Sequence, residues 1–204
     1  ANIFGAPVSE AQWFSAAREA LAATRDLHGL ENATLVEHWT QFLPLGMVGT
    51  TDKLTVRFRQ EVAGVPVEGG WANVLFDARG ALLSVQTRAL PALSGFDTAP
   101  ALSADAAVDA ALALFRGEHR FEGALVHEPR LVIAQLEQAE SRVGVLCWRV
   151  EVLGAAVEGD ERGGIYFIDA KSGALAVREE LIHHFDISGN VKSLATPGTS
   201  ADSA

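Results

Sequence analysis

Three kinds of residue in this chain could do chemistry: the histidines, a single cysteine and clustered carboxylates. His127-Glu128 opens like the metalloprotease helix H-E-x-x-H, in which two histidines one turn apart hold zinc and the glutamate activates water. Leu131 stands where the second histidine belongs, and Pro129 would break the helix that the motif needs. His183 and His184 are adjacent, so on a strand they point to opposite faces and do not chelate one ion; His28, His38 and His119 are isolated. Cys147 is the only cysteine, which excludes an internal disulfide and a cysteine-based metal cluster. A nucleophilic cysteine wants a nearby histidine base, and none is close in sequence, so Cys147 reads as a structural thiol. Glu158-Gly159-Asp160-Glu161 lacks the spaced ligands of a calcium loop and reads as a solvated turn. With no G-x-S-x-G elbow and no phosphate-binding glycine loop, the expectation is no catalytic residue, no cofactor and no metal in this chain.

Gln60 calls for a different explanation. In Leu54–Val62, period-two alternation puts Leu54, Val56, Phe58 and Val62 on one face, with Thr55, Arg57, Arg59 and Glu61 on the other. Gln60 falls on the apolar face, where a buried amide is costly unless it is hydrogen-bonded. It is therefore expected to clamp backbone groups of the neighbouring turn, around Gly64 to Gly70, as a fold-specifying residue. Gly64 and Pro66 read as turn formers.

The elements around these residues repeat one plan, a helix and then strands. Ser9 with Gln12 makes a capping box, Trp13, Phe14, Ala17, Ala20, Leu21 and Thr24 form a helical stripe, and Gly29 stops the helix. Strands are predicted near 34–42, 54–62, 71–77 and 81–88, the second and third joined by the Gly64-Val65-Pro66 turn. Ser103 caps a second helix with Ala107, Val108, Ala111, Leu112 and Phe115 as its stripe and Gly117 as its end. Strands follow near 130–137, 142–153, 163–169 and 174–182, with a turn at Lys171-Ser172-Gly173. On the long strand Leu146, Trp148, Val150 and Val152 share one face; Val145, Cys147, Arg149 and Glu151 share the other. The segment from Pro91 to Pro100 reads as a linker. The predicted class is α+β, two small modules that each lay a helix on an antiparallel sheet.

Bulk properties narrow the function. A chain of 204 residues that is 49% hydrophobic can bury a core. A net charge of −10 argues against nucleic acid as a partner. No apolar run is long enough to span a membrane. The acidity is uneven: residues 1–100 hold seven Lys/Arg and ten Asp/Glu, leaving nine and sixteen for 101–204.

The stretch Val56-Arg57-Phe58-Arg59-Gln60-Glu61-Val62-Ala63-Gly64-Val65-Pro66-Val67-Glu68-Gly69-Gly70 resembles the propeptide signature of the fungalysin and thermolysin families of secreted zinc metallopeptidases. The resemblance runs from about Leu54 to Val85 and rests on Gln60, Gly64, Pro66, Val67 and Gly70, with Asp77 and Gly80 beyond; Glu68 departs from it, standing where an apolar or aromatic residue is common. The second half resembles a PepSY domain through Ala106-Ala107, Cys147-Trp148-Arg149-Val150 and Tyr166 to Gly173, with Trp148, Asp169 and Gly173 as its motif residues.

The resemblance implies paired cystatin-like modules: residues 1–90 as the propeptide-motif module, 91–101 as linker, 102–185 as the PepSY-like module, and 186–204 as a flexible tail leading toward a downstream domain. It implies a secreted precursor whose non-catalytic pro-region assists folding of a cognate metalloprotease catalytic domain in cis. That pro-region would cover the cleft until cleavage, the zinc belonging to the catalytic domain. Leu181, Ile182, His183, His184, Phe185, Asp186 and Ile187, nearest the expected junction, are the candidate cleft-proximal residues. The alternative is a free-standing inhibitor or extracellular interaction module of the same fold.

Overall fold

The computed structural model describes residues 9–30, 33–91, 93–119, 124–138, 141–154 and 163–181. Helix α1 (Glu10–His28) begins where the Ser9 hydroxyl accepts from the Gln12 N–H, and it ends on Gly29 at φ 63°. Helix α2 (Ala104–His119) begins at Ser103, whose Oγ accepts from the Ala106 N–H. The predicted stop at Gly117 is not used. A glycine weakens a helix interior by only about 1 kcal/mol, and Glu118 beyond it is tied to Tyr166 and Arg178.

Among the described residues, nine strands follow the order β1 (Leu35–Leu43), β2 (Lys53–Val62), β3 (Val65–Asp77), β4 (Leu82–Thr87), β5 (Ala124–Val126), β6 (Arg130–Gln138), β7 (Ser141–Gly154), β8 (Gly163–Asp169) and β9 (Leu175–Glu180). The class is α+β, dominated by sheet. The sheet runs β1-β2-β3-β6-β7-β8-β9, with β4 beside β3 and β5 beside β7. Every pairing is antiparallel except β3–β6, which meet in parallel at Val67 and Ile133. The expected two sheets are thus one continuous sheet, stitched at its middle by a short parallel contact.

Each helix still has its own core. Trp13, Phe14, Ala17 and Leu21 of α1 pack on Leu54, Val56, Phe58, Val74 and Phe76, with the Phe14 and Phe58 rings edge-on at 5.5 Å. Ala107, Ala111 and Phe115 of α2 pack on Val150, Val152, Tyr166 and Ile168. Burying each large apolar side chain contributes about 1.5–3 kcal/mol. A third cluster sits between them: Val67, Leu90, Leu93, Ile133, Leu146 and Ala170. Leu93 belongs to the segment that links the halves and Leu90 immediately precedes it, so that segment is anchored by packing at its start.

Candidate functional site

The propeptide-like signature forms the joint of the molecule. Its hairpin turn is only Ala63-Gly64, with φ 49° and 82°; positive φ at both central residues is what a type I′ turn requires. Val65 and Pro66 are therefore strand residues, pairing with Val62 and Glu61, and the predicted start of β3 at Trp71 is corrected to Val65. Proline is tolerated there because it needs to donate nothing at that position of the ladder.

After Pro66 the strand leaves its partner. Register resumes at Trp71 opposite Arg59, so Val67 to Gly70 bulge out opposite the single residue Gln60. Val67 crosses to pair with Ile133 of β6. Gln60, fully buried, fills the gap. Its Nε2 donates to the Leu90 carbonyl at 2.7 Å and its Oε1 accepts from the Leu90 N–H at 2.8 Å. The clamp is present as the sequence suggests, but its partner is Leu90 and not the Gly64–Gly70 turn. Gly70 is required by contact: a Cβ there would lie 2.8 Å from Val67 Cβ and Cγ1 and 3.0 Å from Gln60 Oε1. Gly69, at φ 66°, turns the chain back.

A polar node closes the joint from the second half. Gln135 Nε2 donates to the Glu68 carbonyl at 3.0 Å and Arg142 Nη1 donates to Gln135 Oε1 at 2.8 Å and to the Arg88 carbonyl at 3.2 Å. Glu68 thus contributes its backbone while its side chain is exposed, which is why a charged residue is accommodated there. An open groove beside the node is lined by Ala134, Phe167 and Val177, with Glu68, Arg88 and Glu179 supplying charge.

The second motif forms the far anchor of the linking segment. Trp148 Nε1 donates to the Leu102 carbonyl at 2.8 Å, fixing the entry to α2. Asp169 Oδ1 accepts from the backbone N–H groups of Lys171 and Ser172, both at 2.8 Å. Gly173, at φ 78°, completes the turn by donating to the Asp169 carbonyl at 2.9 Å. Partial burial opposes the Asp169 charge, yet the Ser172 and Lys171 donors and the Lys171 ammonium outweigh it and hold the carboxyl below its ordinary value. Lys171 Nζ reaches across to Asp97 and to the Ala99 carbonyl, and the N–H groups of Ala101 and Leu102 donate to the Ala170 carbonyl at 2.9 Å. Sequence reasoning singled out neither Leu90 nor Gln135 or Arg142, and it read Lys171 only as a turn residue; all four act through partners far away along the chain.

The remaining candidates do not assemble into a reactive centre. Cys147 is fully buried, and desolvation together with the Asp169 charge pushes its thiol up to about 12, which makes it inert at neutral pH. The Tyr166 hydroxyl is likewise pushed up to about 12, by burial and by its 3.0 Å hydrogen bond to Glu118. His127 lies 4.0 Å from Glu151 at the surface. Among the described residues no group of three or more His, Cys, Asp or Glu side chains is placed to hold a metal, and no helix is long and apolar enough to cross a membrane. Leu181 is half-buried, and its N–H donates to the Gly163 carbonyl at 3.1 Å. Ile182, His183, His184, Phe185, Asp186 and Ile187, like the acidic 158–161 turn, lie outside the described residues.

Comparison with known proteins places a name on the joint. The family Fungalysin/Thermolysin Propeptide Motif matches residues 50–89, the span that runs through β2, the Gln60 clamp, the excursion of β3 and β4. This segment carries the propeptide motif of the fungalysin and thermolysin peptidases. The chain is similar in structure to the Bacillus megaterium YpeB C-terminal domain, at 18% identity and TM-score 0.34, over 90% of this chain and 70% of that one. It is also similar to a Clostridium difficile 630 protein described as a lipoprotein, at 14% identity and TM-score 0.27, over 80% of this chain and 91% of that one. Comparison with curated proteins yields no match.

Proposed function

We propose that this chain is the pro-region of a secreted zinc metallopeptidase precursor. In this reading it chaperones folding of the catalytic domain, covers its cleft and is then removed by proteolysis. The observation that carries the reading is the propeptide motif at residues 50–89, whose glutamine, glycines and valine form the joint described above.

In finer detail, residues 1–90 and 102–185 act as two cystatin-like, motif-bearing units, the second of PepSY type, with 91–101 as the strap between them. Leu181 to Ile187 lead toward the cleft and 186–204 toward the junction. Leu181, the one residue of 181–187 that is described, donates its N–H to the Gly163 carbonyl. Zinc belongs to the catalytic domain.

The test is inhibition in trans. Residues 1–204 are titrated against the mature peptidase of the same precursor, with a serine protease as control. Saturable inhibition of the metallopeptidase alone is expected. Replacing 181–187 by Gly/Ser is expected to weaken it, and unchanged inhibition would remove that segment from the cleft.

A further inference from the structure

The face of β1–β3 turned away from α1 carries a second arrangement that neither the joint nor the motif explains. Arg57 lies over two indole rings at once, 5.6 Å from the Trp39 centroid and 5.0 Å from that of Trp71. Trp39 stands directly across from Arg57 on β1, and Trp71 sits on the diagonal on β3, two residues from Asn73, which faces Arg57. All three are partly exposed. The described helices lie elsewhere: α1 covers the opposite face and α2 packs on β7 and β8. Among the described residues, Arg57 has no carboxylate partner.

The charge around it runs against the rest of the molecule. Lys53, Arg57 and Arg59 alternate along β2, and Arg88 adjoins Trp71 through a 2.8 Å backbone hydrogen bond. Four of the seven cations in the first hundred residues are gathered here, in a chain of net charge −10. Glu61 is engaged by Arg59 at 2.7 Å, and Asp77 is occupied by the N–H groups of Arg79 and Ala81. Among the described residues, the centre of the face is thus a cation without a neutralising acid. Stacking on aromatic rings fixes a guanidinium while leaving its in-plane N–H groups to a planar acceptor.

We propose that this face is a docking surface for an acidic patch of a folded protein partner, and that Arg57 is its anchor, taking a partner carboxylate in the plane left open by Trp39 and Trp71. Resting on the propeptide reading, the occupant is the catalytic domain of the same precursor, met here at a surface distinct from the 181–187 segment. Arginine and tryptophan are the residues in which binding energy concentrates at protein interfaces, and an Arg–carboxylate pair is geometrically specific.

The test measures binding of residues 1–204 to the mature catalytic domain at two salt concentrations, for the unaltered chain, Arg57→Ala and Arg57→Lys. Arg57→Lys keeps the charge and loses the planar fork, so it remains informative if the alanine variant folds poorly. The expected result is a loss of about tenfold or more in affinity for Arg57→Ala. Arg57→Lys should recover only part of that loss, the salt dependence of binding should be shallower for Arg57→Ala, and the unfolding midpoint of Arg57→Lys should stay unchanged. If the unaltered chain binds and either variant matches it, the docking surface is overturned while the pro-region reading stands. If the unaltered chain does not bind, both fall together.

Discussion

Gln60 and Leu90 exchange two hydrogen bonds, of 2.7 and 2.8 Å, across thirty residues of sequence. The side-chain amide does what a neighbouring strand would do, satisfying both the donor and the acceptor of one buried residue where β3 has left the ladder. Removing it is expected to orphan both groups of Leu90. Gln60→Ala should destabilise the chain by about 2–4 kcal/mol, read as a shift in the urea midpoint with unchanged slope. A change under 1 kcal/mol would mean that the joint re-satisfies Leu90 in another way.

The glycine beside this clamp is held by crowding. Gly70→Ala would drive a Cβ into Val67 and Gln60, with an expected loss of about 1–3 kcal/mol. The Ala63-Gly64 turn that precedes it should respond in the opposite sense. Ala63 takes φ 49° without a glycine's freedom, so Ala63→Asn, which gives the Asn-Gly pair preferred in type I′ turns, is expected to stabilise by roughly 0.5–1 kcal/mol. Thermal unfolding of both variants checks the pair of signs.

Asp169 makes part of the stability pH-dependent. Its folded carboxyl is held below its ordinary value, so its contribution is fully present above the unfolded value near ~4 and is lost as pH falls through the folded one. Asp169→Asn retains an oxygen acceptor but cannot titrate. The stability gap between the unaltered chain and this variant should be flat above pH ~5 and should narrow below pH ~4. A gap that widens with acid would contradict the assigned sign.

Cys147 supplies a probe of opening. Buried, and with its thiol pushed up to about 12, it should react with thiol reagents only as fast as the second half unfolds. Its labelling rate should therefore track global stability across a urea series; fast labelling in native buffer would place the thiol on a locally opening segment.

Much of this architecture is legible in the residues themselves. Capping by Ser9 and Ser103, the apolar stripes of both helices and the alternation along β2 and β7 are local patterns, and local physics fixes them. The burial of Gln60 follows from counting by twos. Its partner does not, because period-two counting names a face and not the backbone that meets it. The same limit explains the start of β3. Gly64-Val65-Pro66 and Gly69-Gly70 look like turn chemistry, and only contact with Ile133 shows that Val67 is strand. Gln135, Arg142 and Lys171 look like surface polar residues until the distant carbonyls of Glu68, Arg88 and Ala99 are brought beside them.

The parallel contact between β3 and β6 also orders events in time. Gln135 and Glu68, which meet beside it, are 67 residues apart in the chain. A ribosome adding about 5–20 residues each second releases the first of them several seconds before the second. The N-terminal helix and its hairpins can form in that interval, but Val67 stands waiting at an unfinished strand, and contacts of such long range are slow to close. The central seam of the sheet therefore cannot begin to close until β6 has been made, after the whole of the first half, and β7 to β9 are added beside it later still.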